Sequence, residues 1–300
     1  MGHVTVPAAE ELLDVKFPIL DHGHVSLMDY MGGDQRIAEA AWVSTIDEVD
    51  AMQRSENEMK RIINYMMSHM HTSPFEQVLL TFRCKMPIFV ARQWVRHRTA
   101  RLNEMSGRYR ILPMQAYVPT PSRLQGKGKA NKQGSEGEID SGVKRASIIG
   151  KMVAGQGHAY EDYKWFDAAG LANELCRINV PVAQYTEWVW NIDLSNFLKF
   201  SGLRMDPHAQ WEIRQYANKM YEIVEKVAPM ACDAWMEHFY LGCQINRAER
   251  EALADMLYDI YKNGPHHEHG AKLQRKQLRE LMLKLGIKTF QVEELGLAAK

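Results

Sequence analysis

Two short segments, Gln93–Arg98 and Asn103–Arg110, carry four arginines together with the carboxylate of Glu104 and the serine-glycine pair Ser106-Gly107. A glycine leaves backbone N–H groups accessible, and a serine hydroxyl adds another hydrogen-bond donor. Arginine forks bind phosphate oxygens in pairs. These residue types predict a cradle for a phosphomonoester, although a solvated or salt-bridged arginine surface would have the same spacing.

The segment Ile88–Arg98 contains no helix breaker, and we expect it to be a helix that runs directly into the arginine-rich turn. On such a helix Gln93 and Arg96 would share a face, whereas Arg96 and Arg98 would point about 200° apart. One turn could therefore serve two different anions.

A helix and a strand precede this segment. Ser55 and Glu58 form a capping box at the start of a predicted helix, Ser55–Met70, with apolar residues at helical spacing. From Val78 to Met86, apolar and polar residues alternate, which predicts a strand with one buried face, and Pro87 ends it.

The rest of the chain is mostly helical in pattern. The stretch from about 122 to 146 is rich in Gly, Lys, Ser and Glu and is expected to be a surface insertion or mobile loop that contributes nothing to a core. The predicted helices that follow are Gly157–Ile178, one that begins at Asp206-Pro207, one that begins at Asn246 with Glu249, and Gln274–Leu285. The pattern indicates an α+β protein in which helix dominates.

Composition narrows the function classes. Among 300 residues, 37 are Lys or Arg and 37 are Asp or Glu, so no overall field would recruit nucleic acid or an anionic membrane. No membrane span or signal segment is recognisable, and we expect a cytoplasmic protein. The cysteines form no CxxC pair and are expected to be reduced, mostly buried thiols; they are Cys84, Cys176, Cys232 and Cys243.

A long run of residues resembles one known family. Arg96-His97-Arg98, seven residues and then Ser106 is similar to the signature of flavin-dependent thymidylate synthases. The flanking segments extend the resemblance over about Ile19–Phe239, and they are Ile19–Asp34, His71–Glu76, Pro87–Trp94, Asn103–Tyr109, Arg177 with Pro181 and Tyr185-Thr186, and Gly202–Ile213.

The resemblance implies a fold and a reaction. It implies a helix-dominated α+β fold with a central antiparallel sheet over residues 1–242, followed by a helical extension over 243–300. The implied reaction is methylation of dUMP to dTMP, with methylenetetrahydrofolate as carbon donor and NADPH-reduced FAD as hydride carrier. A homotetramer is implied, with active sites at subunit interfaces.

The resemblance also implies roles for individual residues. Arg204 would be catalytic, because a guanidinium beside uracil N3 and O4 favours an enolate-like anion and makes C5 nucleophilic. The residues implied to hold dUMP are Gln93, Arg96, Glu104, Ser106, Gly107, Arg108, Arg177 and Arg204. Those implied to hold FAD are Ser44, His71, Ser73, Glu76, Arg96, His97, Arg98, Glu104, Asp193, Ser195 and Lys199.

Three positions depart from the family pattern. Ser195 and Lys199 stand where relatives commonly carry His, Arg or Asn, and Trp42 stands where an Arg usually precedes Val43-Ser44. These departures bear on FAD affinity more than on dUMP binding. The family works without a cysteine nucleophile, and Ser106 is interpreted as a nucleotide ligand, because no Ser-His-Asp arrangement is evident.

Three other interpretations stay open. The arginines of residues 92–110 could bind nucleic acid, but basic-aromatic clusters are absent elsewhere in the sequence. His266-His267-Glu268-His269 could ligate zinc or nickel, although such a run is more often a polar loop, and no metal is expected. The chain could also be a family member that has lost flavin binding.

Overall fold

The computed structural model describes residues 4–44, 47, 54–128, 135–139, 141–243, 245–263, 279, 281–283, 285 and 287. The chain divides into two compact units, Met1–Leu241 and Gly242–Lys300. The helices are α1 Pro7–Glu10, α2 Asp34–Trp42, α3 Glu56–Ser68, α4 Ile88–Trp94, α5 Gly142–Ala168, α6 Asn173–Cys176, α7 Leu194–Arg204, α8 Trp211–Val227, α9 Pro229–Trp235 and α10 Arg247–Asn263.

The first unit is built on a five-stranded antiparallel sheet with the strand order β1-β2-β3-β7-β4. Its strands are β1 Phe17–Ile19, β2 Gly23–Met31, β3 Leu79–Pro87, β4 Arg101–Glu104 and β7 Tyr185–Asp193, and a separate hairpin pairs β5 Gln125–Lys127 with β6 Ser135–Glu138. The predicted α+β class with a central antiparallel sheet is confirmed.

The central strand β3 follows the alternation in its sequence. Leu80, Phe82, Cys84 and Met86 are fully buried, while Arg83 between them is exposed. The predicted strand is thus confirmed, displaced by one residue. Pro87 is the last residue of β3 and also occupies the N-cap position of α4.

The predicted capping box at Ser55 is present, and the helix predicted to begin at Asn246 with Glu249 has one as well. In α3 the Ser55 hydroxyl accepts from Glu58 N and the Glu58 carboxylate accepts from Ser55 N at 2.9 Å. In α10, Glu249 Oε2 accepts from Asn246 N at 2.7 Å, and Asn246 Oδ1 accepts from Glu249 N at 3.1 Å. Each box satisfies two backbone donors that a helix start would otherwise leave without partners.

The stretch from 122 to 146 has more regular structure than expected. It includes most of a 3₁₀ turn, Pro121–Arg123, the β5–β6 hairpin, and the first residues of α5. Leu124 within it is buried. The helix predicted over Gly157–Ile178 begins earlier, at Gly142, and ends at Ala168. The composition misled because a helix buries little when it lies on the surface: in α5 only Tyr160 and Tyr163 are buried.

Two helix boundaries near the site also differ from the prediction. Helix α4 ends at Trp94, so Gln93 and Arg96 do not share a face of one continuous helix. Asp206-Pro207 is not a helix start, since α8 begins at Trp211 with Gln210 in the N-cap position. Asp206 O accepts from Ala209 N at 2.9 Å, and Asp206 Oδ1 accepts from His208 N at 2.7 Å. Asp followed by Pro is equally favourable at the first two positions of a β-turn, and the turn is what forms.

An aromatic cluster holds α4 and α7 against the sheet. The ring of Trp94 lies 5.4 Å from those of Trp188 and Trp190, 5.2 Å from that of Phe200 and 5.8 Å from that of Tyr216. All five rings are at most 1% exposed. Such pairs add about 0.5–1.5 kcal/mol each beyond the burial of area. The end of α4 is therefore a rigid base for the residues that follow it.

In the second unit, the backbone of α10 is described over the whole length of the helix. Ala254, Met282 and Ile287 form a small core. Of the predicted helix Gln274–Leu285, the described residues Arg279 and Leu281–Leu283 are helical, and the remainder except Leu285 lies outside the described residues. His266–His269 lie outside them as well. No described helix combines the length and apolar character that crossing a membrane requires.

Candidate active site

The arginine-rich turn begins where α4 stops. His97 N donates to Trp94 O at 3.0 Å, so the chain turns immediately after the buried Trp94 and then enters β4 at the edge of the sheet. Arg96 and Arg98 are exposed on this turn. Within the described residues neither makes an ion pair, so both guanidiniums are available to an anion.

Arg204, at the last position of α7, is held against this turn. Its Nε donates to His97 Nε2 at 3.0 Å, and its Nη2 donates to Gln93 O at 3.0 Å. Phe200, one helical turn earlier on α7, places its ring 5.0 Å from the His97 ring. Arg204, Gln93 and His97 are thus brought together across more than a hundred residues of sequence.

The electrostatics of this contact are set by burial. Burial, and then the charge of Arg204, lower the pKa of His97 to about 4. His97 is therefore neutral at physiological pH and accepts through Nε2, which leaves its proton on Nδ1. Burial also lowers the pKa of Arg204, although a guanidinium remains protonated at neutral pH. Among the described residues no carboxylate pairs with Arg204, so its charge is not cancelled.

A second group of predicted residues gathers around Gly107. A Cβ at Gly107 would lie 3.2 Å from Arg177 Cδ and 3.1 Å from Leu112 Cδ2, which shows how closely Arg177 approaches this backbone. Ser106 Oγ accepts from Arg108 N at 3.3 Å. Ser106, Gly107, Arg108 and Arg177 therefore form one cluster.

Arg108 has an ionic partner among the described residues. Its Nε lies 3.3 Å from Glu174 Oε2, and its carbonyl accepts from Asn173 Nδ2 at 3.4 Å. Both side chains of the ion pair are more than half exposed. Exposed pairs contribute little, about 0–1 kcal/mol, so Arg108 can exchange Glu174 for a more strongly charged ligand.

Glu104 ends β4 and is anchored to the neighbouring strand. Its Oε1 accepts from Thr186 Oγ1 at 2.6 Å, and Met105 N donates to Glu187 O at 2.8 Å. Over the described part of the chain, no hydrogen bond or ion pair joins the Arg204 group to the Gly107 cluster. The two groups are separate parts of the predicted dUMP site within one chain.

The predicted flavin residues fall on the loop after α3 and at the start of α7. His71, Ser73 and Glu76 are exposed, and Glu76 Oε1 accepts from Thr72 Oγ1 at 3.3 Å. Leu194 N donates to Val78 O at 2.8 Å, which joins the start of α7 to the end of this loop.

The remaining flavin candidates differ in accessibility. Asp193 caps α7 by accepting from Asn196 N at 2.9 Å. Ser195 is buried, whereas Lys199 is exposed and makes no ion pair with any described residue. Ser44 lies beyond α2, and its hydroxyl donates to Ala41 O at 3.2 Å.

The cysteines offer no evident nucleophile in the first unit. Cys84, Cys176 and Cys232 are buried, while Cys243 is exposed. Burial raises the pKa of the Cys84 and Cys232 thiols well above the usual range. Cys176 is also buried, although it is next to Arg177 in the sequence. Its thiol donates to Leu171 O at 3.2 Å.

Comparison with known proteins identifies the family. The family model described as "Thymidylate synthase complementing protein" matches residues 26–230. A "Flavin-dependent thymidylate synthase" of Treponema denticola is 43% identical over 245 residues, which cover 82% of this chain and 91% of the relative. One of Rickettsia conorii is 38% identical over 292 residues, which cover 93% and 96%.

The chain belongs to the flavin-dependent thymidylate synthase family. The resemblance carried by Arg96-His97-Arg98 and Ser106 is therefore confirmed. A solved structure of the UMP/dUMP methylase PolB from Streptomyces cacaoi, bound with 5-Br dUMP, is also similar to this family member. Its TM-score is 0.67 and its identity 29%, and the match covers 74% of this chain and 97% of that one.

A polar network beside Gln93 has no counterpart in the sequence prediction. In it, Gln93 Nε2 donates to Gln210 Oε1, and Gln210 Nε2 donates to Glu212 Oε2 at 2.9 Å. Gln210 and Glu212 lie in a segment that resembles the family, but they were not among the candidates. A signal was present, because Glu212 lies four residues before Tyr216 and one before Ile213, on the apolar face of α8. A carboxylate on an apolar face needs buried partners.

Proposed function

We propose that this family member catalyses the reductive methylation of dUMP to dTMP without a cysteine nucleophile. Methylenetetrahydrofolate is the carbon donor, and FAD reduced by NADPH is the hydride carrier. The observation that carries the proposal is the setting of Arg204. Its guanidinium is held by hydrogen bonds to Gln93 and His97, and no described residue compensates its charge.

Arg204 is suited to activating uracil. A guanidinium has five N–H groups, and the two bonds to Gln93 and His97 leave three for a ligand. Those two bonds fix the plane of the guanidinium before the substrate arrives, so little reorganisation is needed when negative charge develops on the pyrimidine. A neutral His97 preserves this effect, since a carboxylate in its place would offset the positive charge.

The Gly107 cluster, together with Arg96, is suited to the nucleotide phosphate. Ser106 offers a hydroxyl, Gly107 a backbone without a Cβ, and Arg108 and Arg177 two guanidiniums. A phosphate monoester near −2 would displace Glu174 from Arg108. Glu104, fixed by Thr186, would accept from a donor group of the nucleotide.

The residues assigned to FAD suit the negatively charged diphosphate of that dinucleotide. Arg96, Arg98 and Lys199 are exposed cations with no acidic partner in the portion of the chain that is described, and a diphosphate requires such groups. His71, Ser73, Glu76, His97, Glu104, Asp193, Ser195 and Ser44 would supply hydrogen bonds. Bound FAD, once reduced, would supply the hydride.

A homotetramer with active sites at subunit interfaces is part of this proposal. Strand β4 lies at the edge of the sheet, and apolar side chains near the site are exposed: Leu102 at 42%, Tyr109 at 84% and Leu203 at 62%. Exposed apolar groups of this kind favour contact with another subunit. The proposed partners include neither nucleic acid nor membrane, and the proposed location is the cytoplasm. Residues 1–242 form the proposed catalytic domain and 243–300 a helical extension.

The test is a set of reactions in which single components are omitted. Purified protein is mixed with FAD, NADPH, methylenetetrahydrofolate and dUMP, and dTMP is measured by chromatography. We expect dTMP only in the complete mixture, together with the visible absorbance of bound flavin in the isolated complex. Calorimetric binding of dUMP without dTMP formation or flavin binding would instead support a member that has lost activity.

A further inference from the structure

A buried carboxylate lies at the centre of the network beside Gln93. Glu212, in the first turn of α8, is 3% exposed. Its Oε1 accepts from Arg123 Nε at 2.8 Å and from Tyr117 Oη at 3.2 Å. Its Oε2 accepts from Gln210 Nε2 at 2.9 Å and from Arg123 Nη2 at 3.3 Å. Each carboxylate oxygen therefore accepts two hydrogen bonds, one of them from Arg123, and the side chain is fixed in place as an acceptor.

The bond to Gln210 determines which way that amide points. Because Glu212 can only accept, Gln210 must direct its NH₂ group toward Glu212. Its Oε1 then faces Gln93, whose Nε2 donates to it. The Gln93 amide is thereby oriented as well, with Nε2 toward Gln210 and Oε1 left as an acceptor without a partner among the described residues.

The same segment of α4 is tied to Arg204. The backbone carbonyl of Gln93 accepts from Arg204 Nη2, so the main chain and the side chain of Gln93 are held by different partners. Gln93 thus lies between the charged network of Glu212 and the guanidinium assigned to uracil activation.

We infer that Glu212, acting through Gln210, is a positioning residue that directs the side-chain oxygen of Gln93 at a donor group of the bound nucleotide. The inference rests on the proposed function, which places dUMP against Gln93. A donor group is a hydroxyl of the sugar or the N3–H of uracil, and both are recognised by the same acceptor oxygen. Without Gln210 the Gln93 amide rotates freely and presents NH₂ for part of the time.

A double-mutant cycle on dUMP binding tests this relay. Gln93→Ala, Gln210→Ala and the double variant are titrated with dUMP by calorimetry, in the tetramer or whichever assembly the wild type forms. We expect Gln210→Ala to raise the Kd about five- to tenfold, as for a lost hydrogen bond, and the double variant to match Gln93→Ala alone. In turnover, KM for dUMP should rise in Gln210→Ala while kcat stays close to the wild-type value.

Two further variants separate positioning from folding. Gln215→Ala removes a glutamine from the same helix, one that donates to Trp211 O, and should leave the Kd for dUMP unchanged. Glu212→Gln replaces the accept-only carboxylate by an amide, so Gln210 can flip, and should raise the Kd as Gln210→Ala does. If Glu212→Gln does not fold, Gln210→Ala still tests the inference, because Gln210 is exposed and its replacement leaves the core intact. FAD titration of each variant should give the wild-type Kd.

Two results would overturn the inference in distinguishable ways. If the wild type binds dUMP but Gln210→Ala binds it equally well, or its effect adds to that of Gln93→Ala, the relay is wrong and the proposed function stands. If the wild type binds no dUMP, the proposed function fails and the relay fails with it. Two analogues identify the donor group, because the 2′,3′-dideoxy nucleotide lacks the sugar hydroxyl and dCMP lacks the N3–H. The rise in Kd caused by Gln210→Ala should disappear for the analogue that lacks the donor bound by Gln93.

Discussion

Replacing Gly107 by alanine should weaken nucleotide binding through crowding alone. The new Cβ would lie 3.1 Å from Leu112 Cδ2 and 3.2 Å from Arg177 Cδ, closer than nine in ten real contacts of a Cβ. Ordinary contact begins at 3.4 Å, so each neighbour must yield two to three tenths of an ångström. Overpacking typically costs about 1–3 kcal/mol.

The lower part of that range applies here, because Arg177 is exposed and can move away in the free protein. The cost then appears on binding, since the guanidinium must return to the phosphate. About 1–1.4 kcal/mol corresponds to a roughly five- to tenfold rise in the Kd for dUMP. We expect little change in kcat, because the phosphate charge does not change during the reaction.

The assay is calorimetric titration with dUMP, with FAD titration as a check that the other pocket is intact. Gly150→Ala is the matched control, because it falls inside helix α5 and, apart from the adjoining residues and backbone of that helix, no atom lies within 4 Å of the position of the new Cβ. It should leave the Kd unchanged and slightly raise stability. A folded Gly107→Ala protein that binds dUMP as tightly as the wild type would show that Arg177 does not act at this turn.

Three other outcomes are expected. Arg204→Ala should lower kcat more than Arg108→Ala, which should mainly raise KM for dUMP, because only Arg204 is proposed to face developing charge. Equal effects of both variants on both parameters in steady-state kinetics would contradict this. Lys199→Ala should weaken FAD binding and reduce its salt dependence, measured by fluorescence quenching at two ionic strengths; an unchanged, salt-independent Kd would show that Lys199 does not face the cofactor. Burial raises the pKa of Asp34 to about 6 from 3.8, even though its carboxylate accepts from Met230 N and Ala231 N. The stability that this group contributes is present below about pH 4 and lost as pH rises to about 6. The unfolding free energy of the wild type relative to Asp34→Asn should therefore fall by up to about 3 kcal/mol over that window. A difference that stays constant with pH in urea titrations would refute this.

The elements that could be predicted are those whose cause is local. Alternation in β3 follows from one buried face, and the Ser55–Glu58 and Asn246–Glu249 boxes follow from donors at a helix start. Asp206-Pro207 was interpreted wrongly because the same two residues suit a turn and a helix start, and only the position of Trp211 in the fold decides between them. Likewise α4 ends at Trp94, whose ring is held in the aromatic cluster, and the local sequence reveals neither the helix end nor the cluster.

The candidate site was predictable in its residue types but not in its pairings. Gly107 and Arg177, or Gln93 and Arg204, meet only because β7 and α7 return the chain to the same edge of the sheet. The resemblance to the family supplied these residues without saying which of them touch. It also left out Glu212, whose partner Arg123 lies in a stretch that composition had assigned to a surface loop.

The distribution of charge explains why so much of the site is cationic in a chain whose formal net charge is zero. Glu212 is fully engaged by Arg123, Tyr117 and Gln210, and the neutral His97 offers Arg204 no counter-charge. The carboxylate of Glu212 therefore holds the framework, while the guanidiniums of Arg96, Arg98 and Arg204 have no acidic partner within the described segments. Uncompensated guanidiniums of this kind suit the phosphorylated substrate and cofactor that the site is proposed to bind.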